Sequence, residues 1–266
     1  MVPTKPELVV KRQDGTTQPD GTIQKRVNDT AQSDSSHRFT QQLIALTEIL
    51  LCSTTQFVLA PILFIAGIQT FDNDGKLSFT YVVTLSLMDT VLLIALIFLL
   101  LWIHREHPRK FFLGPRPIRN EILVGGLLIP VVVLSVLTVF TLIQSFASWL
   151  HNVSENPFEA LIRSPTNAWI FAFVSIVAGG VREEMQRAFI LRRFEQHLGG
   201  GLVGLVTFSI IFGLAHRIQG WDASIITGLL GAFWGATYLV RRSIIAPVIS
   251  HSGLNVAEIM RYLIYS

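Results

Sequence analysis

Apolar and polar positions in this chain come in blocks. Apolar runs at residues 39–70, 77–103, 121–146, 166–197, 202–216, 223–240 and 243–263 alternate with short polar turns. About 20 helical residues cross the hydrocarbon core of a bilayer, and apolar runs of roughly 18 or more argue for spans. The pattern therefore predicts an all-α fold, a polytopic transmembrane helix bundle of about seven spans. The first run is long enough to tilt. The segment 147–165, with Trp149, Asn152, Asn156 and Pro157, reads as lying along the interface. Ahead of the first run, residues 1–37 are rich in Lys, Asp, Thr, Gln and Ser. They have no apolar stretch or cleavage site of a signal peptide and are expected to form a disordered polar tail. Three regions follow: the cytoplasmic tail 1–37, N-terminal transmembrane helices and loops at 38–165, and C-terminal helices at 166–266.

Composition agrees. Half of the 266 residues are hydrophobic and 15% are charged, too few charges for a soluble domain of this length. The net charge of +3 does not point to nucleic acid, because the cations flank apolar runs, where positive charge sets topology. One side receives Lys5, Lys11, Arg12, Lys25, Arg26 and Arg38, the basic loop 104–119, Arg192-Arg193 and Arg241-Arg242; the other shows Lys76, Arg163 and Arg217. That asymmetry predicts a cytoplasmic N-terminus in a plasma (inner) membrane protein, the lipid bilayer being its first partner. Trp102, Trp149, Trp169 and Trp221 fall near span ends, as an aromatic belt does. The lone Cys52 allows neither an intrachain disulfide nor a Cys-rich zinc pattern.

Ionisable residues inside spans cost about 2.5–3.5 kcal/mol each on insertion scales, so their positions are informative. The early spans hold Glu48 and Asp89, read as helix contacts or cavity-lining groups. The late spans hold Arg182-Glu183-Glu184-Met185-Gln186-Arg187, then His216, then His251 and Asn255. Arg187 can pair with Glu183 at four residues or with Glu184 at three. His251 and Asn255, four apart, share a helix face. At about 1.5 Å per residue, Glu183 lies roughly 20 Å and His216 roughly 22 Å above the turn at 199–201. From the 241–242 side the last span raises His251 by roughly 14 Å and Asn255 by roughly 20 Å. Four polar side chains from three helices can thus converge at one depth.

Such a set can do hydrolytic chemistry. A carboxylate in a low-dielectric cavity is a competent general base for water. Two histidines can bind a metal or donate to an oxyanion, and an asparagine adds a donor. Ser250 and Ser252 flank His251, but sequence neighbours in a helix do not face each other, so activated water is the better reading than a serine nucleophile.

Taken in order, Glu183-Glu184 with Arg187, Phe212-x-x-x-His216 and His251-x-x-x-Asn255 resemble the CAAX-protease and bacteriocin-processing group of intramembrane peptidases, over about residues 169–260. The family spaces its first motif Glu-Glu-x-x-x-Arg, whereas this chain has one residue fewer. Aligned on the glutamates, Glu183 takes the water-activating place; aligned on the arginine, Arg182 replaces the first glutamate. The first alignment is preferred, because a basic residue cannot activate water. The resemblance then implies that Glu183 activates water with help from His216, that His251 and Asn255 stabilise the oxyanion, and that Arg187 holds Glu184. It marks 166–266 as the catalytic region. It also leaves two routes open, a metal-free glutamate route and one with zinc on Glu183, His216 and His251.

The expected function is an intramembrane endopeptidase acting on a membrane-associated, possibly lipidated, protein or peptide. The alternatives are a non-proteolytic scaffold or immunity-type protein of the same fold, and a proton-coupled transporter. Many transporters show internal repeats, and this chain shows none.

Overall fold

A computed structural model describes residues 21–154 and 156–265, with side chains from residue 35 onward apart from residues 262 and 265. Among the described residues the ordered structure is helical, with one isolated bridge between Phe71 and Leu77. The helices are α1 (Gly21–Ser53), α2 (Thr55–Ile65), α3 (Phe79–Ile103), α4 (Pro108–Phe112), α5 (Ile118–Phe146), α6 (Pro165–Val174), α7 (Glu183–His197), α8 (Gly201–Ala215), α9 (Trp221–Arg241) and α10 (Ile245–Tyr265). A π-helical segment, Ser175–Arg182, joins α6 to α7 without a break. The chain divides into two compact units, residues 1–44 and 45–266, and the second holds α2 to α10.

Four stretches are long and apolar enough to cross a membrane: Ser35–Ile65, Phe79–Ile103, Ile118–Phe146 and Trp221–Arg241. The chain is an integral membrane protein. Of the seven expected spans, the other three are helical but fall outside that group, each for a visible reason. The run α6–π–α7 carries the charges of residues 182–187, α8 has only 15 residues, and α10 holds His251, Asn255 and Glu258. The expected tail 1–37 lies outside the described residues as far as residue 20. From Gly21 it is helical, ahead of the expected start at 39, since extending a formed helix is far easier than nucleating one. The first span is interrupted at Thr54, whose hydroxyl donates to the Leu50 carbonyl at 2.9 Å, a back-bond that bends helices.

Polar turns gather at the two ends of the second unit. At one end Asp72 accepts from the amides of Asp74 and Lys76 and meets Arg163 at 2.5 Å. That guanidinium holds the Asp72 carboxyl below the usual carboxylate range. At the same end the segment 147–164, two short 3₁₀ turns rather than a long helix, is tied to α9 by Asn152 on the Trp221 amide at 2.9 Å. At the other end α4 buries Phe111 and Phe112, and the Phe112 carbonyl accepts from the Ile244 amide at 2.8 Å.

The early acidic residues are joints between helices. Glu48 binds Arg193 at 2.6 Å and also contacts His104. Glu121 accepts two bonds from Arg241, at 2.7 and 2.9 Å. Arg242 reaches Glu195 at 2.6 Å. Arg193, expected only as a topology anchor, is therefore a buried structural cation, 3% exposed. Outward faces are apolar, with Val91, Leu127, Ile211 and Val240 mostly exposed, as a lipid-facing perimeter requires.

Close helix contacts use small residues, as is common in membranes. A Cβ at Gly125 of α5 would sit 2.7 Å from Ile249 Cβ and 3.1 Å from Ala246 Cα on α10, while one at the adjacent Gly126 would meet nothing within 4 Å. Gly125→Ala should therefore destabilise the protein by about 1–3 kcal/mol through overpacking. Gly126→Ala should be neutral or stabilising by up to about 1 kcal/mol. Thermal unfolding in detergent measures both, and equal midpoints for the two variants would refute the α5–α10 packing.

Candidate active site

The π segment widens the helix immediately before Glu183. It contains Gly179-Gly180, and α10 packs straight onto them. A Cβ at Gly179 would meet Asn255 Nδ2 at 2.5 Å, and one at Gly180 would strike the Ser252 hydroxyl. Asn255 Nδ2 donates to the Ser175 carbonyl at 3.2 Å, taking up an acceptor where the α pattern gives way. π segments occur frequently at functional sites, and here one sets the register of the charged run.

Of the two pairings open to Arg187, it makes the one with Glu184. Both side chains are buried, and the guanidinium carbon lies 4.7 Å from the Phe212 ring centroid, 5.2 Å from Phe208 and 5.6 Å from Trp234. An arginine in an aromatic box keeps cation–π contacts in place of water. Glu184 Oε1 also meets His251 Nδ1 at 2.8 Å. A carboxylate only accepts, so Nδ1 carries the proton and Nε2 is turned away from Glu184. The His251 ring lies flat against Trp234, with centroids 3.8 Å apart and planes at 15°.

Glu183 behaves differently. Its side chain is partly exposed and makes no arginine contact among the described residues; its Oε2 lies 4.0 Å from His251 Nε2, a gap suited to a bridging water. His216 closes α8, and its Nδ1 lies 2.8 Å from the Phe212 carbonyl. That acceptor fixes the Nδ1–H tautomer and leaves Nε2 with a free lone pair.

Glu183, His216, His251 and Asn255 all line one cavity of about 650 Å³. Its walls are apolar, among them Val136, Phe171, Ile226 and Leu254, and its rim is polar, with His151, Asn156, Glu159, Gln219, Asp222 and Arg261. At the rim His151 Nδ1 meets Asp222 at 2.6 Å. The structure thus brings the four convergent residues together, with Glu184 and Arg187 packed directly behind them.

Zinc requires three or four ligands converging at about 2.0–2.2 Å for nitrogen and oxygen donors. Among the described residues no three His, Cys, Asp or Glu side chains are grouped to do so. His251 uses Nδ1 on Glu184 and stands 4.0 Å from Glu183 through Nε2. Glu183, His216 and His251, the residues that would hold zinc, line the same cavity without being grouped at ligand distances among the described residues.

Residues 164–257 match the model of a family described as Type II CAAX prenyl endopeptidase Rce1-like. Over this segment the chain is similar to the Rce1-like family. The segment begins at Ser164, the N-cap of α6, and ends two residues past Asn255, so it contains every residue of the convergent set. The match takes in about a third of the chain. No curated protein and no solved structure matches it. The Rce1-like family is one of proteases, and the segment similar to it contains the residues that line the charged cavity.

Sequence reasoning passed over Trp234, which lies in the middle of α9 instead of at a span end; that position was the available signal. It read Asp89 as a helix contact or cavity-lining group and placed Arg182 in the charged run without a partner on another span, whereas Arg182 pairs with Asp89 of α3. The pairing crosses 93 residues of sequence, and no local periodicity reveals it.

Removing Arg187 leaves the buried Glu184 carboxylate without its cation. Arg187→Leu should destabilise the protein by about 3–5 kcal/mol, and Glu184→Gln/Arg187→Leu should recover most of that loss. Unfolding midpoints in detergent read this out; a double variant no better than the single would show that the pair is not the controlling interaction.

Proposed function

We propose that the protein is an intramembrane endopeptidase that hydrolyses a peptide bond of a membrane-associated, lipid-bearing substrate with water activated by Glu183. The observation that carries this reading is that Glu183, alone of the four charges in residues 182–187, lines the cavity and has no ion-pair partner of opposite fixed charge among the described residues. A water bridging Glu183 and His251 gives its proton to the Glu183 carboxylate while its oxygen attacks the scissile carbonyl. His216 Nε2 accepts from the second hydrogen of that water. The negative charge developing on the carbonyl oxygen is met by the Asn255 amide, which has one N–H left after serving Ser175. His251 adds a second donor when its Nε2 is protonated, with Nδ1–H remaining on Glu184. Glu183 then passes its proton to the departing amine. Donors held ready for an oxyanion are commonly the largest single contribution in such reactions.

The walls support an apolar substrate. A second hollow of about 210 Å³, lined by Val132, Val139, Leu229 and Phe233, shares Val136, Ile226 and Leu230 with the main cavity. Together they offer a lipid chain an apolar bed beside the reacting groups. With the basic loops on the cytoplasmic side, the polar rim faces the opposite side of the membrane.

The shortened Glu-Glu-x-x-Arg spacing favours a second reading, a non-proteolytic membrane scaffold or immunity-type protein that retains the fold. Cleavage of a farnesylated CAAX-tailed peptide by purified protein in lipid nanodiscs separates the two. Glu183→Gln should lower kcat by about 10²–10⁴-fold, the range of general-base catalysis, with an unchanged unfolding midpoint. Cleavage should also persist in 1,10-phenanthroline. A wild-type protein that cleaves no lipidated peptide, and whose Glu183→Gln form retains its cellular function, would establish the scaffold.

A further inference from the structure

The run from Arg182 to Arg187 contains two cations and two anions that are not paired with each other in sequence order. Glu184 has Arg187 and His251. Arg182 turns away from both glutamates to Asp89, midway along α3. Asp89 is completely buried and accepts one further bond, from Gln56 Nε2 at 3.3 Å. Arg182 shares incomplete hydrogen bonding with Arg187 and Arg193, which also keep buried guanidinium nitrogens without partners among the described residues. It differs from them in standing next to Glu183 in the chain. Asp89 Oδ1 and Arg182 Nε are both buried without hydrogen-bond partners. By contrast Glu121 uses both oxygens on Arg241. A buried pair with unfilled hydrogen-bonding groups is weak evidence for stability, so its place beside the site calls for another account.

That account lies in the chain itself. Arg182 ends the π segment and Glu183 begins α7, so the guanidinium pivots from a backbone adjoining that of the free carboxylate. Without Asp89, the desolvated cation needs another anion. Glu184 is already occupied, and Glu183 is the open one. We infer that Asp89 is a positioning residue for Glu183, drawing Arg182 against α3 and so keeping the cation away from the carboxylate that accepts the proton. This rests on the reading of Glu183 as the water-activating base. It predicts an asymmetry that a simple structural pair does not produce: loss of Asp89 masks Glu183 because Arg182 remains, whereas loss of Arg182 leaves Glu183 labelling and cleavage intact, its cost falling on the unfolding midpoint alone.

The test uses full-length protein in nanodiscs and two independent readouts. Dicyclohexylcarbodiimide reacts with protonated carboxyl groups in apolar surroundings, and peptide mass spectrometry locates the modification on Glu183. Cleavage of the farnesylated peptide is measured in parallel. Asp89→Asn should lower both Glu183 labelling and kcat roughly tenfold, with little change in KM, as expected when a general base is masked by an ion pair. Asp89→Glu, Arg182→Gln and Asp89→Asn/Arg182→Gln should each remain near the wild type. Equal defects in Asp89→Asn and Arg182→Gln, or a double variant as impaired as Asp89→Asn, would overturn the inference. Should Asp89→Asn fail to fold, the Arg182→Gln and double variants still decide, since the inference requires both to label and cleave. If labelling follows the predicted pattern but the wild type cleaves nothing, the positioning role stands and the peptidase reading falls. Cleavage that ignores Asp89 has the reverse meaning.

Discussion

A carboxylate moved from water into a protein interior loses its hydration and must regain it from fixed partners. In this bundle that constraint is met at Glu184, which is 1% exposed and held between Arg187 and His251. Arg187 is in turn enclosed by Phe208, Phe212 and Trp234, and Trp234 supports the His251 ring. One ion pair thus orients α7, α8, α9 and α10 relative to each other, because each contributes a side chain to it. The cavity in front inherits its shape from that arrangement.

The remaining buried charges obey the same rule at other joints. Glu48 meets Arg193, Glu121 meets Arg241, and Asp89 meets Arg182. These contacts connect the early spans to the late ones, where apolar surface alone provides little direction, since lipid is as apolar as a leucine side chain. Glu183 departs from the rule. It keeps a free carboxylate beside a large cavity, and functional sites are where such departures are expected.

Much of this was legible in the sequence. The runs of residues 77–103, 121–146 and 223–240 correspond closely to α3, α5 and α9, because unbroken apolarity has few alternatives to a helix. The convergence of Glu183, His216, His251 and Asn255 followed from rise per residue and helix direction, both generic. What stayed hidden depended on rotation and on distant partners. Arg187 could reach either glutamate by spacing, and its aromatic box decided between them. The pairing of Arg182 with Asp89, the stacking of Trp234 and the π segment at 175–182 arise from tertiary packing, which periodicity does not encode. Spacing likewise could not show that Glu184 holds the Nδ1 side of His251 and leaves its Nε2 facing Glu183.

The π segment has a geometric consequence for how this chain tolerates change in length. Each residue of an α-helix turns the chain by about 100°, and Ser175–Arg182 sits directly upstream of the glutamate pair. A π segment holds more residues per turn than an α-helix, so a single deletion there that restored ordinary α geometry would leave Glu183 and Glu184 roughly in phase. A deletion in the regular helix that follows would instead turn everything beyond it by about 100°. Within those eight positions a change in length can be absorbed, while the identities of Gly179, Gly180 and Arg182 are constrained by their contacts with Asn255, Ser252 and Asp89.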